Sequence, residues 1–487
     1  MRVTYGLQSS PIARRNLSDK PSDGRGPVSF VLCLLLSAFC LLALTGCSLF
    51  KASGGPKLKG ERISILALDQ KLEADPRIGE VEVMIPKPYV NADWPQPGGY
   101  ADHAMHHLAL AEAPDRAWSG DGGKGAGGNT RILAEPIIAE GTIYVLDAQS
   151  GISALDEKKG NRIWRTVLKA EGETQFGFSI WPPSVPFVSG GAETADASFG
   201  GGIAFEGGRV FVTSGYGFVA ALDAKTGKEI WRRPVNVPIR SAPTVNGGRV
   251  FATTQDNQLY ALSADDGRVL WNYQALVESA GILASASPAV AGDTVVAPFT
   301  SGELVALRAE NGRTAWTDTL IKSSHLTPIS ELNDIAGRPV IDRGRVFAIS
   351  HSGNIVSIDL RTGERIWTRN IAGVQTPWIA GDFIYLITLE GEITALSRRD
   401  GRVRWVTQLR RYKDQEDQEG RLEWSGPVLA GDRLIAVSSI GQLISVSPFT
   451  GKVLSYISIP DGTFVPPVVA NQTLYILTQD AQLLAYR

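Results

Sequence analysis

Short apolar runs separated by polar turns fill the chain from residue 113 to residue 487. Residues 241–276 show the pattern clearly, because "APTV", "RVFATT", "QLYALSA" and "RVLWNYQ" are separated by stretches rich in Gly, Asn and Asp. An Asx-Gly pair between alternating runs is a strong hairpin signal, since glycine adopts positive φ without steric cost. The pattern predicts four short antiparallel strands joined by tight turns.

The same unit recurs along the chain. The stretch "ALDAKTGKEIWR" at residues 221–232 is followed by "ALSADDGRVLW", "ALRAENGRTAW", "SIDLRTGERIW" and "ALSRRDGRVRW". A unit of roughly 40 residues with four strands has the size of one β-propeller blade. Seven turn glycines mark the copies: Gly160, Gly227, Gly267, Gly312, Gly363, Gly401 and Gly451.

An aromatic residue follows each turn glycine, and we interpret these residues as one repeated strand position. An indole at a fixed strand position buries a large area between neighbouring blades. A redox role is the alternative, but repetition in every unit favours a scaffold. The residues are Trp164, Trp231, Trp271, Trp316, Trp367, Trp405 and Tyr456.

The two ends of the repeat region complement each other. The last unit, "VPPVVANQTLYILTQDAQLLAYR", contains three strands, and the upstream stretch "APDRAWSGD" supplies a further one with Trp118 at the repeat position. Pairing them completes an eighth blade and leaves no open edge in the ring. We therefore predict an all-β fold, an eight-bladed β-propeller of four-stranded antiparallel blades closed by an N-terminal strand.

Composition and charge narrow the functional classes. Of the 487 residues, 43% are hydrophobic and 20% are charged, which is ordinary for a globular protein. The formal net charge of −2 provides no basic footprint, so we expect no nucleic-acid partner. The sequence contains no nucleophile-elbow pattern.

The stretch "HAMHH" places His103, His106 and His107 within five residues. A zinc site requires a fourth ligand from elsewhere. Tracts of this kind are weak indicators of metal binding, and we interpret this one as a solvated loop that runs extended across the propeller surface. We expect no metal.

The N-terminal part has the organisation of a secretory signal. Residues 28–44 form an apolar run that follows basic residues and precedes "LTGC"; length alone leaves a membrane span open. "LTGC" resembles the lipobox of bacterial lipoproteins, in which the cysteine thiol is acylated. We predict a signal peptide at 1–46 cleaved before Cys47, a lipidated tether and extended segment at 47–112, and a propeller at 113–487. A signal anchor with an incidental cysteine is the alternative.

The unit "A-x-D-x-x-T-G-x-x-x-W" resembles the blade motif of the pyrroloquinoline-quinone-like propellers, which include redox enzymes and non-catalytic relatives. Resemblance to the dehydrogenases of that family implies a quinone, a calcium ion, a vicinal disulfide and often a "CxxCH" haem motif. The three cysteines are Cys33, Cys40 and Cys47, and none follows in the propeller. We expect no cofactor and no enzymatic activity; a quinoprotein-like periplasmic dehydrogenase or cofactor-binding propeller is the alternative.

With its lipobox, the chain resembles the propeller lipoproteins of the bacterial outer-membrane β-barrel assembly machine. That resemblance implies a scaffold anchored by lipid at the periplasmic face of the outer membrane. The implied partners are BamA, the other subunits of the complex and unfolded outer-membrane proteins. A general cell-envelope propeller with a different partner is a further possibility.

The resemblance also implies where BamA binds. The two interblade loops of the family match "ESAGILASASP" and "ISELNDIAGRPVI" of this sequence, which place Ile282 and Leu283 in the first loop and Leu332 and Asp334 in the second. The family arginine is absent from the first loop, and Ala336 replaces the second aspartate. Ile282 and Leu283 are either exposed anchors or side chains packed against a blade edge. Strand addition to an exposed blade edge is a second possible binding mode.

Overall fold

The computed structural model describes residues 72–127, 130–169, 200–277, 286–321 and 333–487. These residues form eight four-stranded antiparallel sheets, which confirms the predicted eight-bladed propeller. A short 3-10 helix, Pro76–Ile78, precedes the sheets. Within the described ranges, no helix reaches the length and apolarity that a membrane span requires.

The first strand of the chain, β1 (Arg116–Asp121), belongs to the last blade. Blade 1 consists of β2 (Ile137–Ala139), β3 (Thr142–Leu146), β4 (Gly151–Asp156) and β5 (Arg162–Val167). Blade 2 consists of β6 (Gly201–Glu206), β7 (Arg209–Ser214), β8 (Phe218–Asp223) and β9 (Glu229–Pro234). Blade 3 consists of β10 (Thr244–Asn246), β11 (Arg249–Thr253), β12 (Gln258–Ser263) and β13 (Val269–Gln274). Blade 4 consists of β14 (Ala289–Ala291), β15 (Thr294–Pro298), β16 (Glu303–Arg308) and β17 (Thr314–Thr319).

Blade 5 consists of β18 (Val340–Asp342), β19 (Arg345–Ile349), β20 (Ile355–Asp359) and β21 (Arg365–Arg369). Blade 6 consists of β22 (Trp378–Ala380), β23 (Phe383–Ile387), β24 (Glu392–Ser397) and β25 (Val403–Gln408). A two-stranded hairpin, β26 (Tyr412–Asp414) and β27 (Glu419–Arg421), precedes blade 7. Blade 7 consists of β28 (Trp424–Ala430), β29 (Arg433–Ser438), β30 (Gln442–Val446) and β31 (Val453–Ser458). Blade 8 consists of β32 (Val468–Ala470), β33 (Thr473–Leu477), β34 (Gln482–Tyr486) and β1.

The predicted ring closure is confirmed by the pairing of β1 with β34. The two strands are antiparallel, with Trp118 opposite Ala485 and Asp121 opposite Gln482. They are neighbours in the sheet but lie far apart in the chain, so no turn joins them. This seam between the two chain segments distinguishes blade 8 from the other seven.

Burial depends on the position of a strand within its blade. In blade 1, β3 and β4 are almost wholly buried, whereas every residue of β5 is exposed or half-buried. The middle strands are covered on both faces by neighbouring blades, and they therefore read as nearly continuous apolar runs rather than strict alternations. The hydrophobic core consequently lies between the blades.

The "D-x-x-T-G" turn of the repeat is held by its aspartate. The carboxylate of Asp223 accepts hydrogen bonds from the backbone N–H of Thr226 at 2.9 Å and from its hydroxyl at 2.6 Å. These bonds stabilise the charged carboxylate and lower the pKa of Asp223. The glycine that follows, Gly227, has φ +69° and ends the turn in the left-handed region.

Each turn glycine lies against the tryptophan of the preceding blade. At Gly267 an added Cβ would come 2.5 Å from Cε3 of Trp231, which is closer than any real contact. The indole N–H of Trp231 donates to the carbonyl of Ala264 in the same turn region at 3.0 Å. Glycine and tryptophan therefore form one interblade contact. The pairs are Trp118–Gly160, Trp164–Gly227, Trp231–Gly267, Trp271–Gly312, Trp316–Gly363, Trp367–Gly401 and Trp405–Gly451.

The assignment of Tyr456 to the repeat position is wrong. Trp405 in blade 6 pairs with Ala395, directly before the bulge of that sheet. In blade 7 the corresponding pair is Ser455 opposite Ser445, and Tyr456 lies one residue further. The physical reason is the seam, because no turn glycine joins β34 to β1 and an indole at this position has no glycine to pack beneath.

The antiparallel order gives the ring two different faces. In each of blades 1 to 7, the turn between the first and second strands and the turn between the third and fourth strands lie at one end, which we call the turn face. The turn between the second and third strands and the connections between blades lie at the opposite end, which we call the connection face. In sequence, the two segments of the predicted partner site fall between β13 and β14 and between β17 and β18, and residues 278–285 and 322–332 of them lie outside the described residues.

Candidate functional site

Residues 89–110, which we call the crossing segment, cross the ring and contact the first strand of all eight blades. The prediction that this part of the chain runs across the surface is wrong, because Trp94, Met105 and Leu108 are at most 1% exposed. The segment bonds to the inner edges of the first strands, which have no other strand beside them. Its contacts, in the order of blades 8 and then 1 to 7, are Asn91–Val469, Trp94–Ile138, Pro95–Phe205, Gln96–Val245, Ala101–Val290, Asp102–Ile341, His106–Trp378 and Leu108–Leu429.

Two glycines reverse the crossing segment in the middle of the ring. Gly98 and Gly99 have φ values of +80° and +97°, which a residue with a side chain rarely adopts. A Cβ on Gly99 would also collide with the side chain of Met105. Beside this turn, the rings of Trp94 and Trp378 stack with their centroids 6.3 Å apart. The Pro/Gly-rich sequence thus encodes a tight reversal that holds apolar side chains in the channel.

The histidines do not form the predicted solvated loop. His103 and His107 are 4% and 1% exposed, respectively. Nδ1 of His103 lies 2.8 Å from the carbonyl of Pro339, and Nδ1 of His107 lies 2.7 Å from the carbonyl of Pro86. Nε2 of His107 lies 3.1 Å from the backbone N of Asp432, so both ring nitrogens of this imidazole have backbone partners. Tight packing with residues distant in sequence explains the burial.

The three imidazoles have different partners, two of them on blade 5 and one on blade 7. His103 faces blade 5, His107 faces blade 7, and Nε2 of His106 lies 3.6 Å from the carboxylate of Asp342. Among the residues that the structure describes, no three His, Cys, Asp or Glu side chains form a group that could hold a metal ion. The "HAMHH" stretch therefore anchors the crossing segment instead of gathering ligands.

The burial of His103 predicts a dependence of stability on pH. Desolvation, with a contribution from the nearby Arg338 cation, lowers the pKa of His103 from 6.5 to about 3. The unfolded chain binds a proton near pH 6.5 that the folded protein does not bind until about pH 3, so stability falls as pH decreases through this window. Between pH 7.5 and pH 5.0 we expect His103 to account for a loss of about 2 kcal/mol in the free energy of unfolding.

Urea unfolding at the two pH values tests this expectation. His103→Asn keeps a residue type that tolerates the observed φ of +61° and should remove most of the pH-dependent loss. His106→Asn is the control, because its φ is +53° and its side chain is 31% exposed. An unchanged pH dependence in His103→Asn would show that other groups cause the loss.

An ion pair between a buried carboxylate and a half-buried guanidinium spans the channel below the crossing segment. The guanidinium of Arg338, before the first strand of blade 5, contacts the carboxylate of Glu135, before the first strand of blade 1. The same carboxylate accepts the N–H of Gly98 at 3.0 Å. The cavity beside these groups and Trp94 measures about 30 Å³, which is room for about two water molecules. In the described residues this end of the channel is filled by protein.

Of the four predicted partner-binding residues, the structure describes one, Asp334. Ile282, Leu283 and Leu332 lie outside the described residues. Asp334 is described and is 3% exposed, and its backbone carbonyl accepts the N–H of His351 at 2.9 Å. The structure therefore places Asp334 inside the protein, where its carboxylate does not form part of the exposed surface.

Three exposed aliphatic residues precede, in sequence, the loop residues predicted to bind a partner. Leu276 and Val277 follow β13 and are each 67% exposed, and Ile321 follows β17 and is 38% exposed. The N–H of Leu276 donates to the carboxylate of Glu303 at 2.8 Å. Ile321 packs against Gly302 at the turn between β15 and β16. These side chains, which we call the blade 4 surface, flank one turn on the connection face.

Comparison of the repeats identifies residues that the sequence interpretation missed. Leu276 and Ile321 each stand five residues after the tryptophan of their blade. The preceding position is buried, as with Ala275 and Leu320, so the next side chain faces solvent. Alignment of the repeats therefore predicts from sequence that Leu276 and Ile321 are exposed. The other blades carry small, polar or proline residues at this position: Gly123, Lys169, Asn236, Ala372, Arg410 and Pro460.

Known proteins resemble this chain in sequence over most of its length. A protein-family model described as "Outer membrane protein assembly factor BamB" matches residues 184–407. The protein of that name from Escherichia coli (strain K12) is 30% identical over 368 residues, covering 75% of this chain and 87% of the relative. The one from Salmonella typhimurium is 29% identical over 373 residues, covering 76% and 88%.

Solved structures share the propeller. BamB from Moraxella catarrhalis matches with a TM-score of 0.62 at 18% identity, covering 77% of this chain and 100% of that chain. A europium-containing methanol dehydrogenase matches with a TM-score of 0.60 at 15% identity, covering 79% and 89%. At such identities the likeness shows the fold alone, and this fold serves both kinds of protein. The sequence identity to the Escherichia coli relative decides between them: the chain belongs to the BamB family of outer membrane protein assembly factors.

Proposed function

We propose that this protein is a non-enzymatic scaffold for outer-membrane protein assembly that binds BamA through the blade 4 surface. The observation that carries the proposal is the pair Leu276 and Ile321, which are exposed aliphatic side chains at a position where the other blades have none. Exposed apolar side chains grouped around one turn favour a protein interface. A rigid ring holds these loops in place.

The predicted contacts extend the same surface. In sequence, Ile282 and Leu283 belong to the connection that contains Leu276, and Leu332 belongs to the connection that contains Ile321. We assign these three residues to the BamA interface together with the blade 4 surface. Asp334 is buried, and within this proposal it shapes the end of the second connection.

The proposal includes the membrane anchor and the further partners. Residues 1–46 are the signal peptide, Cys47 carries the lipid, residues 47–112 include the tether, and residues 113–487 form the propeller. The protein is held at the periplasmic face of the outer membrane, where it contacts the other subunits of the assembly complex and unfolded outer-membrane proteins. The lipobox and the family membership support this assignment.

The occupied channel supports a role without catalysis. The crossing segment fills one end of the ring with Trp94, Met105 and Leu108, and the cavity beside it measures about 30 Å³. Small-molecule sites are roughly ten times larger. We therefore assign no cofactor to this end of the channel.

Affinity purification from the native envelope tests the proposed interface. Leu276→Glu with Ile321→Glu places two charges on the blade 4 surface, and we expect recovery of BamA to fall at least about tenfold, since buried apolar contacts carry most interface energy. Ile163→Glu with Ile230→Glu is the matched control, because these side chains are 55% and 46% exposed on blades 1 and 2. Equal recovery of BamA by both variants would refute the interface. Ile282→Glu with Leu283→Glu tests the predicted loop in the same assay.

A further inference from the structure

The outer strand of blade 7, β31, is the least covered strand of the propeller. All six of its residues are exposed, whereas each of the other seven outer strands has residues that are buried or half-buried. Four of the six are large and apolar: Val453, Leu454, Tyr456 and Ile457 are 37%, 56%, 57% and 40% exposed. This concentration of exposed apolar side chains on one strand calls for a physical cause.

The seam between blade 7 and blade 8 accounts for part of this exposure, at Ser455 and Ile457. Elsewhere the turn of the next blade covers the outer strand, and the residue two positions after the tryptophan often bonds that turn. The hydroxyl of Thr407, for example, donates to the carbonyl of Gly451 at 2.6 Å. In blade 7 the equivalent residue is Ile457, and no turn joins β34 to β1 above it. One interblade turn is therefore missing at β31.

The free edge of β31 also lacks the usual protection of edge strands. Natural edge strands carry charged residues or are covered by other segments. The edge of β25 is covered, since the N–H of Asp75 donates to Val403 and Arg404 bonds the carbonyl of Val81. The strand β31, with the sequence "VLSYIS", contains no charged residue, and no described strand pairs with its outer edge.

We propose that β31 binds an extended segment of a non-native outer-membrane protein by strand addition. This inference rests on the proposed function, and it assigns to unfolded outer-membrane proteins a surface distinct from the BamA interface. A strand is the occupant that satisfies the row of backbone N–H and C=O groups along a free sheet edge. Six residues offer about 20 Å of edge.

Charge complementarity defines the chemistry of the occupant. A charged side chain placed against the neutral, apolar strand β31 would lose its hydration without gaining a partner. The strands of membrane barrels alternate apolar residues with polar ones over about ten residues. An uncharged strand of this kind covers Leu454 and Tyr456 with its apolar side chains while its backbone pairs with the edge.

Photocrosslinking tests the proposal on the full-length protein. A photoreactive phenylalanine derivative is introduced at Tyr456 and, as the matched control, at Ile163, which is 55% exposed on the outer strand of blade 1. The probe is a urea-denatured outer-membrane β-barrel protein diluted into buffer. We expect at least about tenfold more crosslinking to the probe at position 456. Equal crosslinking at both positions would overturn the proposal.

Charged variants separate this proposal from the BamA interface. Leu454→Lys with Tyr456→Lys should reduce binding of the denatured probe at least about tenfold and leave BamA recovery unchanged, because an edge lysine blocks strand pairing. Leu276→Glu with Ile321→Glu should instead reduce BamA recovery and leave binding of the denatured probe unchanged. Loss of probe binding in the second variant alone would overturn the assignment to β31. Crosslinks between two copies of the protein at Tyr456 would instead identify a second copy as the occupant and also overturn it.

Discussion

Replacing Gly267 by alanine is expected to lower the free energy of unfolding by about 2 to 5 kcal/mol. The φ of +68° costs a residue with a Cβ about 1 to 2 kcal/mol. The new methyl group would also come 2.5 Å from Cε3 of Trp231, and overpacking of this kind costs about 1 to 3 kcal/mol. Urea unfolding followed by circular dichroism measures the sum of the two effects.

Gly248→Ala in the same blade is the matched control. Gly248 has φ +74°, and no atom lies within 4 Å of the position of an added Cβ. This variant carries the backbone strain without the collision, and we expect a loss of about 1 kcal/mol. Equal losses in Gly248→Ala and Gly267→Ala would contradict the interblade role of the glycine.

A double-mutant cycle separates the cost of the collision with Trp231 from the cost of the backbone conformation. In the Gly267→Ala background, Trp231→Ala also relieves the collision, so its cost should be smaller there than in the wild-type background. Strict additivity would show that the alanine methyl and the indole do not meet. The repeat would then require glycine at this position for its backbone conformation alone.

Replacing Trp94 by alanine is the second change with a large expected effect, about 4 kcal/mol of unfolding free energy. Trp94 is 1% exposed and stacks on Trp378, and removal of a fully buried tryptophan typically costs about 3 to 5 kcal/mol. Its backbone bonds Ile138 in both directions, so the crossing segment should also loosen locally. Hydrogen exchange should therefore accelerate in residues 89–110 before it accelerates in the outer strands.

Tyr100→Ala is the control for Trp94→Ala within the crossing segment. Tyr100 is 39% exposed, so its removal should change stability by no more than about 1 kcal/mol. Similar losses for the two variants would contradict the idea that Trp94 fixes the segment in the channel. Normal exchange of residues 89–110 in Trp94→Ala would contradict it as well.

Local sequence determined much of the fold, because each blade repeats the same short-range signals. Asp223, Thr226 and Gly227 form their turn through contacts within five residues, so the turn can be predicted from the residues themselves. The strand that completes blade 8 could be recognised for the same reason, because it carries Trp118 at the repeat position. The repeat also marks Leu276 and Ile321, whose exposure follows from their distance to the blade tryptophan.

The misassignment of Tyr456 shows where the repeat stops being informative. An aromatic residue one position away from the expected one satisfies the sequence pattern, but in the sheet Ser455 occupies the site before the bulge. The closure of blade 8 by a separate strand, which the sequence itself predicts, leaves no turn glycine above this position. The same missing turn leaves Ile457 exposed.

The arrangement of the residues inside the ring depends on contacts between residues distant in sequence, which no local sequence pattern predicts. Composition made the "HAMHH" stretch resemble a solvated loop, yet His103 is buried against Pro339, 236 residues away. Glu135 and Arg338 meet across the channel although 203 residues separate them. The sequence by itself determined the blades, because hairpins and their turns form between neighbouring residues. The path of the crossing segment depended on the closed ring, because only the ring brings the first strands of all eight blades around one channel.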